Sequence, residues 1–76
     1  MPLTLIINGQ PREFPQLSAQ ATVAELVSSM ELKGDRIAVE LNHEIAQRTR
    51  WSELAIKDGD RLEIVHFVGG GFGPRD

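Results

Sequence analysis

Leu62-Glu63-Ile64-Val65-His66-Phe67-Val68, followed at once by Gly69-Gly70-Gly71, is the stretch whose reading decides the fold of this chain. Its β-branched and aromatic side chains predict a strand, and the glycines end it, having no side chain to pack and the most backbone entropy to lose on ordering. Alternation turns Leu62 and Ile64 inward with His66 near the margin, which leaves Glu63, Val65 and Phe67 facing out. Two apolar side chains therefore stand on the solvent side. Just upstream, Lys57-Asp58-Gly59-Asp60 is the turn that launches the strand.

The opposite end of the chain mirrors this stretch. Leu3-Thr4-Leu5-Ile6-Ile7 is a second β-rich run, with Leu3, Leu5 and Ile7 on the core face and Thr4 and Ile6 on the other. It runs into Asn8-Gly9, the dipeptide that most readily supplies the positive φ angles of a tight hairpin. Pro11 and Pro15 place the return arm around Arg12-Glu13-Phe14 on an edge, because proline cannot donate to a ladder. Thr22-Val23-Ala24-Glu25 fits a capping box, and Val23, Leu26, Val27 and Met30 line one stripe of the helix that follows, with Gly34 as its expected stop. Arg36-Ile37-Ala38-Val39-Glu40-Leu41 reads as a strand with Ile37, Val39 and Leu41 inward. Asn42-His43-Glu44 is then a turn, Ile45-Ala46 a short and irregular return, and Trp51-Ser52-Glu53-Leu54 one turn of helix.

Hairpin, helix, hairpin and last strand give an α+β fold in which one main helix lies across a mixed sheet and the first and last strands pair in parallel. This is the β-grasp, or ubiquitin-like, layout. Residues 1–68 form the domain and residues 69–76 a flexible glycine-rich tail.

Composition narrows the function. Seventy-six residues with 41% apolar and 25% charged side chains make one small soluble domain, and the absence of cysteine excludes disulfides, thiolate zinc and a cysteine nucleophile. The formal charge is −3 and the basic residues are scattered, so no nucleic-acid partner is expected. No apolar run is long enough to span a membrane and no signal-peptide pattern opens the chain, so the expected compartment is the cytosol.

Few residues suit chemistry within the domain. His43 and His66 fall in different elements without ligand or nucleophile partners, Met30 is core filler, and Asp58 and Asp60 are turn formers lacking a calcium-loop pattern. Arg48 and Arg50 read as a solvated pair beside Trp51. No metal site, no catalytic residue and no bound cofactor is expected. The glycine run has two readings of equal weight, a plain linker or a thread: without Cβ atoms an extended backbone can pass a narrow channel in another protein and present a carboxyl group there.

The order and intervals of Ile6-Ile7-Asn8-Gly9-Gln10, Thr22-Val23-Ala24-Glu25-Leu26, Ile37-Ala38-Val39-Glu40-Leu41-Asn42 with Ile45, Asp58-Gly59-Asp60, and the closing Glu63 to Gly71 string resemble the thiamine-biosynthesis sulfur carrier family, ThiS. The resemblance covers nearly the whole chain and implies carrier chemistry rather than enzyme activity. It implies a terminal glycine, here Gly71, that a ubiquitin-activating-type (ThiF-like) enzyme adenylates with ATP and that a persulfide donor converts to a thiocarboxylate. Thiazole synthase (ThiG-like) then uses the sulfur to build the thiazole of thiamine. Gly69 and Gly70 would thread the partner's channel, and Ile6, Val65 and Phe67 would form a compact docking patch. Family members end at the glycines, whereas this chain continues through Phe72-Gly73-Pro74-Arg75-Asp76, which implies trimming after Gly71 by a protease. The alternatives are sulfur delivery to molybdopterin or another metabolite, and a ubiquitin-like interaction module that carries nothing.

Overall fold

The computed structural model describes residues 3–66. Five strands form one sheet in the order β2-β1-β5-β3-β4, with β1 (Leu3–Ile7), β2 (Gln10–Phe14), β3 (Ile37–Leu41), β4 (Glu44–Ala46) and β5 (Arg61–His66). The β1–β5 pair is parallel, and the other three pairs are antiparallel. Among the described residues one α-helix, α1 (Val23–Ser29), covers one face, and short 3-10 turns lie at Gly34–Arg36 and Arg48–Arg50. This is the β-grasp arrangement expected from the order of elements.

The core lies between α1 and the inner sheet face. Leu3, Leu5 and Ile7 of β1, Ile37 and Val39 of β3, and Leu62 and Ile64 of β5 are buried there with Val23, Leu26 and Val27 of the helix. The period of two in the strands and the helical stripe thus meet in one cluster, and no charged or polar residue among those described is buried with them. Trp51 closes the β4 end, its indole N–H donating to the Ala46 carbonyl at 2.8 Å. That bond satisfies the one polar atom of a large buried ring.

Both ends of α1 have clear causes. Thr22 Oγ1 accepts from the Glu25 amide and the Glu25 carboxylate accepts from the Thr22 amide, the reciprocal capping box read from the sequence. The C-terminus departs from expectation. The helix stops at Ser29, well before Gly34, and the left-handed residue is Glu31 at φ 61°. The Glu31 amide donates to Ser28 and the Leu32 amide to Val27, the paired bonds of a Schellman ending, with Leu32 packed on the core. The Schellman ending, with the half-buried Leu32 packed on the core, therefore stops the helix, and Gly34 serves another purpose: a Cβ there would lie 3.1 Å from the Trp51 ring.

Two further expectations shift. The β3–β4 return is regular, a two-residue hairpin in which Leu41 faces Glu44, so Glu44 belongs to the strand rather than to the turn. The helical turn expected over Trp51-Ser52-Glu53-Leu54 starts earlier, with a 3-10 turn at Arg48–Arg50. It continues through those residues as the Arg50 carbonyl accepts from the Glu53 and Leu54 amides, while the Trp51 ring turns inward.

Candidate functional site

Strand β5 (Arg61–His66) is the last described element before the glycine run, and both flanking strands hold it. On its β1 side a backbone ladder runs from the Ile6 amide to the Asp60 carbonyl and from the Asn8 amide to the Leu62 carbonyl, both 2.9 Å. At the front, the Asp58 carboxylate accepts from the Thr4 amide at 2.7 Å and the Gly59 amide donates to the Thr4 carbonyl, while an Asp60 oxygen accepts from the Lys57 amide. Asp58 and Asp60 are turn formers tied to backbone, as their spacing implied. At the far end Asn8 continues the ladder with its side chain, accepting from the Ile64 amide at 2.7 Å and donating to the Ile64 carbonyl at 3.1 Å.

Beside that far end lies an open groove of about 470 Å³, lined among others by Ile7, Asn8, Met30, Leu32, Ile64 and His66. His66 pairs with Ile37 across β3, while His43 sits in the Asn42-His43 turn near the start of β5. The two histidines are thus at opposite ends of the sheet, and no group of three His, Asp or Glu that could hold a metal ion occurs among the described residues. Arg50 pairs with Glu53 at 3.1 Å, both side chains well exposed.

The second surface is the sheet face away from the helix. Strand register puts Val65 opposite Ala38, and Glu40 opposite both Glu63 and Ile45. Val65 and Ile45 are the large hydrophobic residues most exposed here, at 57% and 68%. Ile6 shares the face but pairs with Arg61, four residues before Val65, an offset of about 13 Å along the strand. The expected compact cluster of Ile6 with Val65 is therefore not formed. Val65 meets Ala38 across β3, whereas Ile45, which the sequence left as an anonymous return strand, is exposed on the same face two strands away, beyond the Glu40–Glu63 pair. Alternation inside β4 was the available signal: Ala46 is buried, so Ile45 must face out. Phe67, Gly69, Gly70 and Gly71 lie outside the described residues, as does the expected boundary between domain and tail.

Residues 5–71 match the ThiS family. The chain belongs to that family. The sulfur carrier protein ThiS of Bacillus subtilis is 44% identical over 67 residues, covering 88% of this chain and 98% of that one. A thiazole synthase of Paramagnetospirillum magneticum is 42% identical over 69 residues, covering 91% of this chain but only 20% of its own, so this chain spans one fifth of that relative. Among solved structures, the crystal structure of the thiamine biosynthesis protein ThiS from Geobacter metallireducens superposes with a TM-score of 0.76 at 33% identity, covering 91% of this chain and all of that one. The β-grasp fold of this ThiS-family chain is thus matched in a solved relative. No helix among the described residues is long and apolar enough to cross a membrane.

Proposed function

We propose that this ThiS-family chain is a cytosolic sulfur carrier of thiamine biosynthesis, itself without enzyme activity, whose Gly71 carboxyl group is the reacting end once residues 72–76 are removed. The observation that carries the reading is where the family match stops: it ends at Gly71, the last residue of the glycine run. Beyond it, Phe72 and the rigid Pro74 add bulk that a channel sized for glycine backbone excludes.

The chemistry needs a free glycine carboxylate. Its oxygen attacks the α-phosphorus of ATP on an adenylating partner and pyrophosphate leaves, which turns a poor electrophile into a good one. The terminal sulfur of a cysteine persulfide then displaces AMP, and a second thiol cleaves the S–S bond to leave the thiocarboxylate. That nucleophilic sulfur goes to a thiazole synthase. The domain contributes a handle and an arm, with Gly69 and Gly70 passing the channel, and the partners contribute the reacting groups.

The handle is the open sheet face. Val65 with Ala38 offers exposed apolar area beside the strand that leads to the reacting end, and Ile45 adds a second apolar point beyond Glu40 and Glu63. A partner that seats on this face thus meets apolar anchors with acidic groups between them. Phe67 extends the same alternation along the chain. Adenylation assays test the whole reading. The Gly71-terminated chain should release pyrophosphate with ATP and an adenylating enzyme, and the full-length chain should not. A full-length chain that is activated as fast as the trimmed one contradicts the proposal.

The longer thiazole synthase relative favours a second reading, in which the carrier domain is joined to its synthase and delivers sulfur within one polypeptide. Intact-mass measurement of the protein from its native cell separates the two, since only the first yields a chain ending at Gly71.

A further inference from the structure

β1 is too short for the strand it supports. Its backbone pairs with β5 as far as Leu62, then Gly9 at φ 84° turns the chain back so that Gln10 faces Ile7 on β2. On that side Ile64 has no backbone to meet. Both of its polar groups are taken by one side chain, the Asn8 carboxamide, which presents an N–H and a C=O in the arrangement of a peptide group. The side chain thus adds one rung to a parallel ladder after its own backbone has departed.

That rung has little reinforcement. Past Ile64 the β1 side of β5 opens on the groove that Asn8, Ile64 and His66 line, and β3 alone flanks the strand as far as the Ile37–His66 pair. At the front of β5 the arrangement is redundant. Asn42, the matching turn residue of the other hairpin, accepts from the Arg61 amide at 3.0 Å and donates to Asp60. On that same side, however, its own backbone amide already donates to the Arg61 carbonyl at 2.7 Å, and the β1 backbone holds Asp60 and Leu62 from the other side.

We propose that Asn8 is a positioning residue for the reacting tail: its carboxamide keeps β5 extended through His66 and so fixes the direction in which the chain leaves the sheet. The inference rests on the carrier reading for its consequence, because an arm that must enter a partner's channel reacts in proportion to how often it leaves the domain on the right line. Val65 of the docking face stays paired with Ala38 of β3, and Ala38 and Ile45 stand on strands that Asn8 does not bond.

The variants Asn8→Gly and Asn42→Gly, each made in the Gly71-terminated chain, isolate the role. Glycine adopts the positive φ of both turns, at 51° in each, so the hairpins persist while the amide bonds are lost. For Asn8→Gly, exchange of the Ile64 amide should rise about tenfold. The kcat for pyrophosphate release with ATP and an adenylating enzyme should fall about tenfold at nearly unchanged KM. Asn42→Gly should leave both at the parent values. Equal kcat values for the two variants, or an Ile64 amide as protected as in the parent, would overturn the proposal. Should Asn8→Gly fail to fold, Asn8→Asp takes its place; it keeps the acceptor for the Ile64 amide and loses the donor to the Ile64 carbonyl. Its test is then the kcat alone, which should fall at nearly unchanged KM, and a kcat equal to the parent's would overturn the proposal. If the parent chain is not adenylated at all, the carrier reading falls by itself. Residual dipolar couplings of the Ile64, Val65 and His66 amides then decide the clamp, and couplings identical in Asn8→Gly and parent refute it.

Discussion

Asn8-Gly9 and Asn42-His43 turn the chain in the same way, with positive φ at all four positions, and each asparagine reaches sideways to β5. The first bonds both polar groups of Ile64 in a half-buried place at the end where the chain leaves; the second bonds the Arg61 amide and the Asp60 carboxylate in the open at the end where β5 begins. The same turn thus has different consequences, set by whether backbone already bonds β5 on the side the asparagine reaches. The Asn42 amide itself donates to the Arg61 carbonyl at 2.7 Å, whereas among the described residues only the Asn8 side chain meets Ile64 on the β1 side. What a turn residue is worth depends on what else holds the strand it touches.

Five substitutions probe that comparison, in falling order of effect. Leu62→Ala, midway along β5 and 1% exposed, removes the core anchor common to both clamps and should destabilise the domain by about 2–5 kcal/mol in denaturant titration. A loss no greater than that of either turn variant would mean the clamps, not the core, hold β5. Asn8→Gly should cost about 1–3 kcal/mol, the net of two half-buried bonds. Gly9→Ala forces an L side chain to φ 84° and should cost about 1–2 kcal/mol, seen as a lower melting temperature. His43→Gly is its mirror image. It relieves φ 73° at the second position and makes that turn Asn-Gly, so it should stabilise by about 1 kcal/mol. Asn42→Gly should be the mildest, about 0.5 kcal/mol, because its bonds are exposed and duplicated. An Asn42→Gly loss equal to that of Asn8→Gly would erase the asymmetry between the two turns.

The sequence carried most of the fold. Alternation in Leu3–Ile7, Ile37–Leu41 and Arg61–His66, the Asn8-Gly9 turn and the Thr22–Glu25 capping box all correspond to features of the structure. These are local signals, in which a residue and its near neighbours settle the conformation. The misplaced boundaries are those that tertiary contacts decide. Gly34 looks like a helix stop, but packing of the half-buried Leu32 ends the helix earlier through Glu31, and the glycine is there to let Trp51 approach.

The candidate site was legible where face and order sufficed and obscure where register was needed. Val65 was placed on the open face from alternation alone. Its apolar neighbour Ala38, the Glu40–Glu63 pair between it and Ile45, and its separation from Ile6 depend on which residues pair across strands, and no local pattern encodes that pairing. The second function of Asn8 was hidden for the same reason. Its preference for positive φ fully explained its presence in the turn, and its bonds to Ile64, 56 residues away, appear only once β5 is laid beside it.

The central claim is that this small sheet holds out a glycine carboxyl group for others to activate and load with sulfur. Intact-mass spectrometry tests it after the Gly71-terminated and full-length chains are incubated with ATP, an adenylating enzyme and a persulfide source. The account predicts that the trimmed chain alone gains the mass difference of one oxygen exchanged for sulfur and loses that gain when Gly71 is the residue removed. A trimmed chain of unchanged mass, with the same enzyme loading a ThiS protein of known activity in parallel, would contradict it.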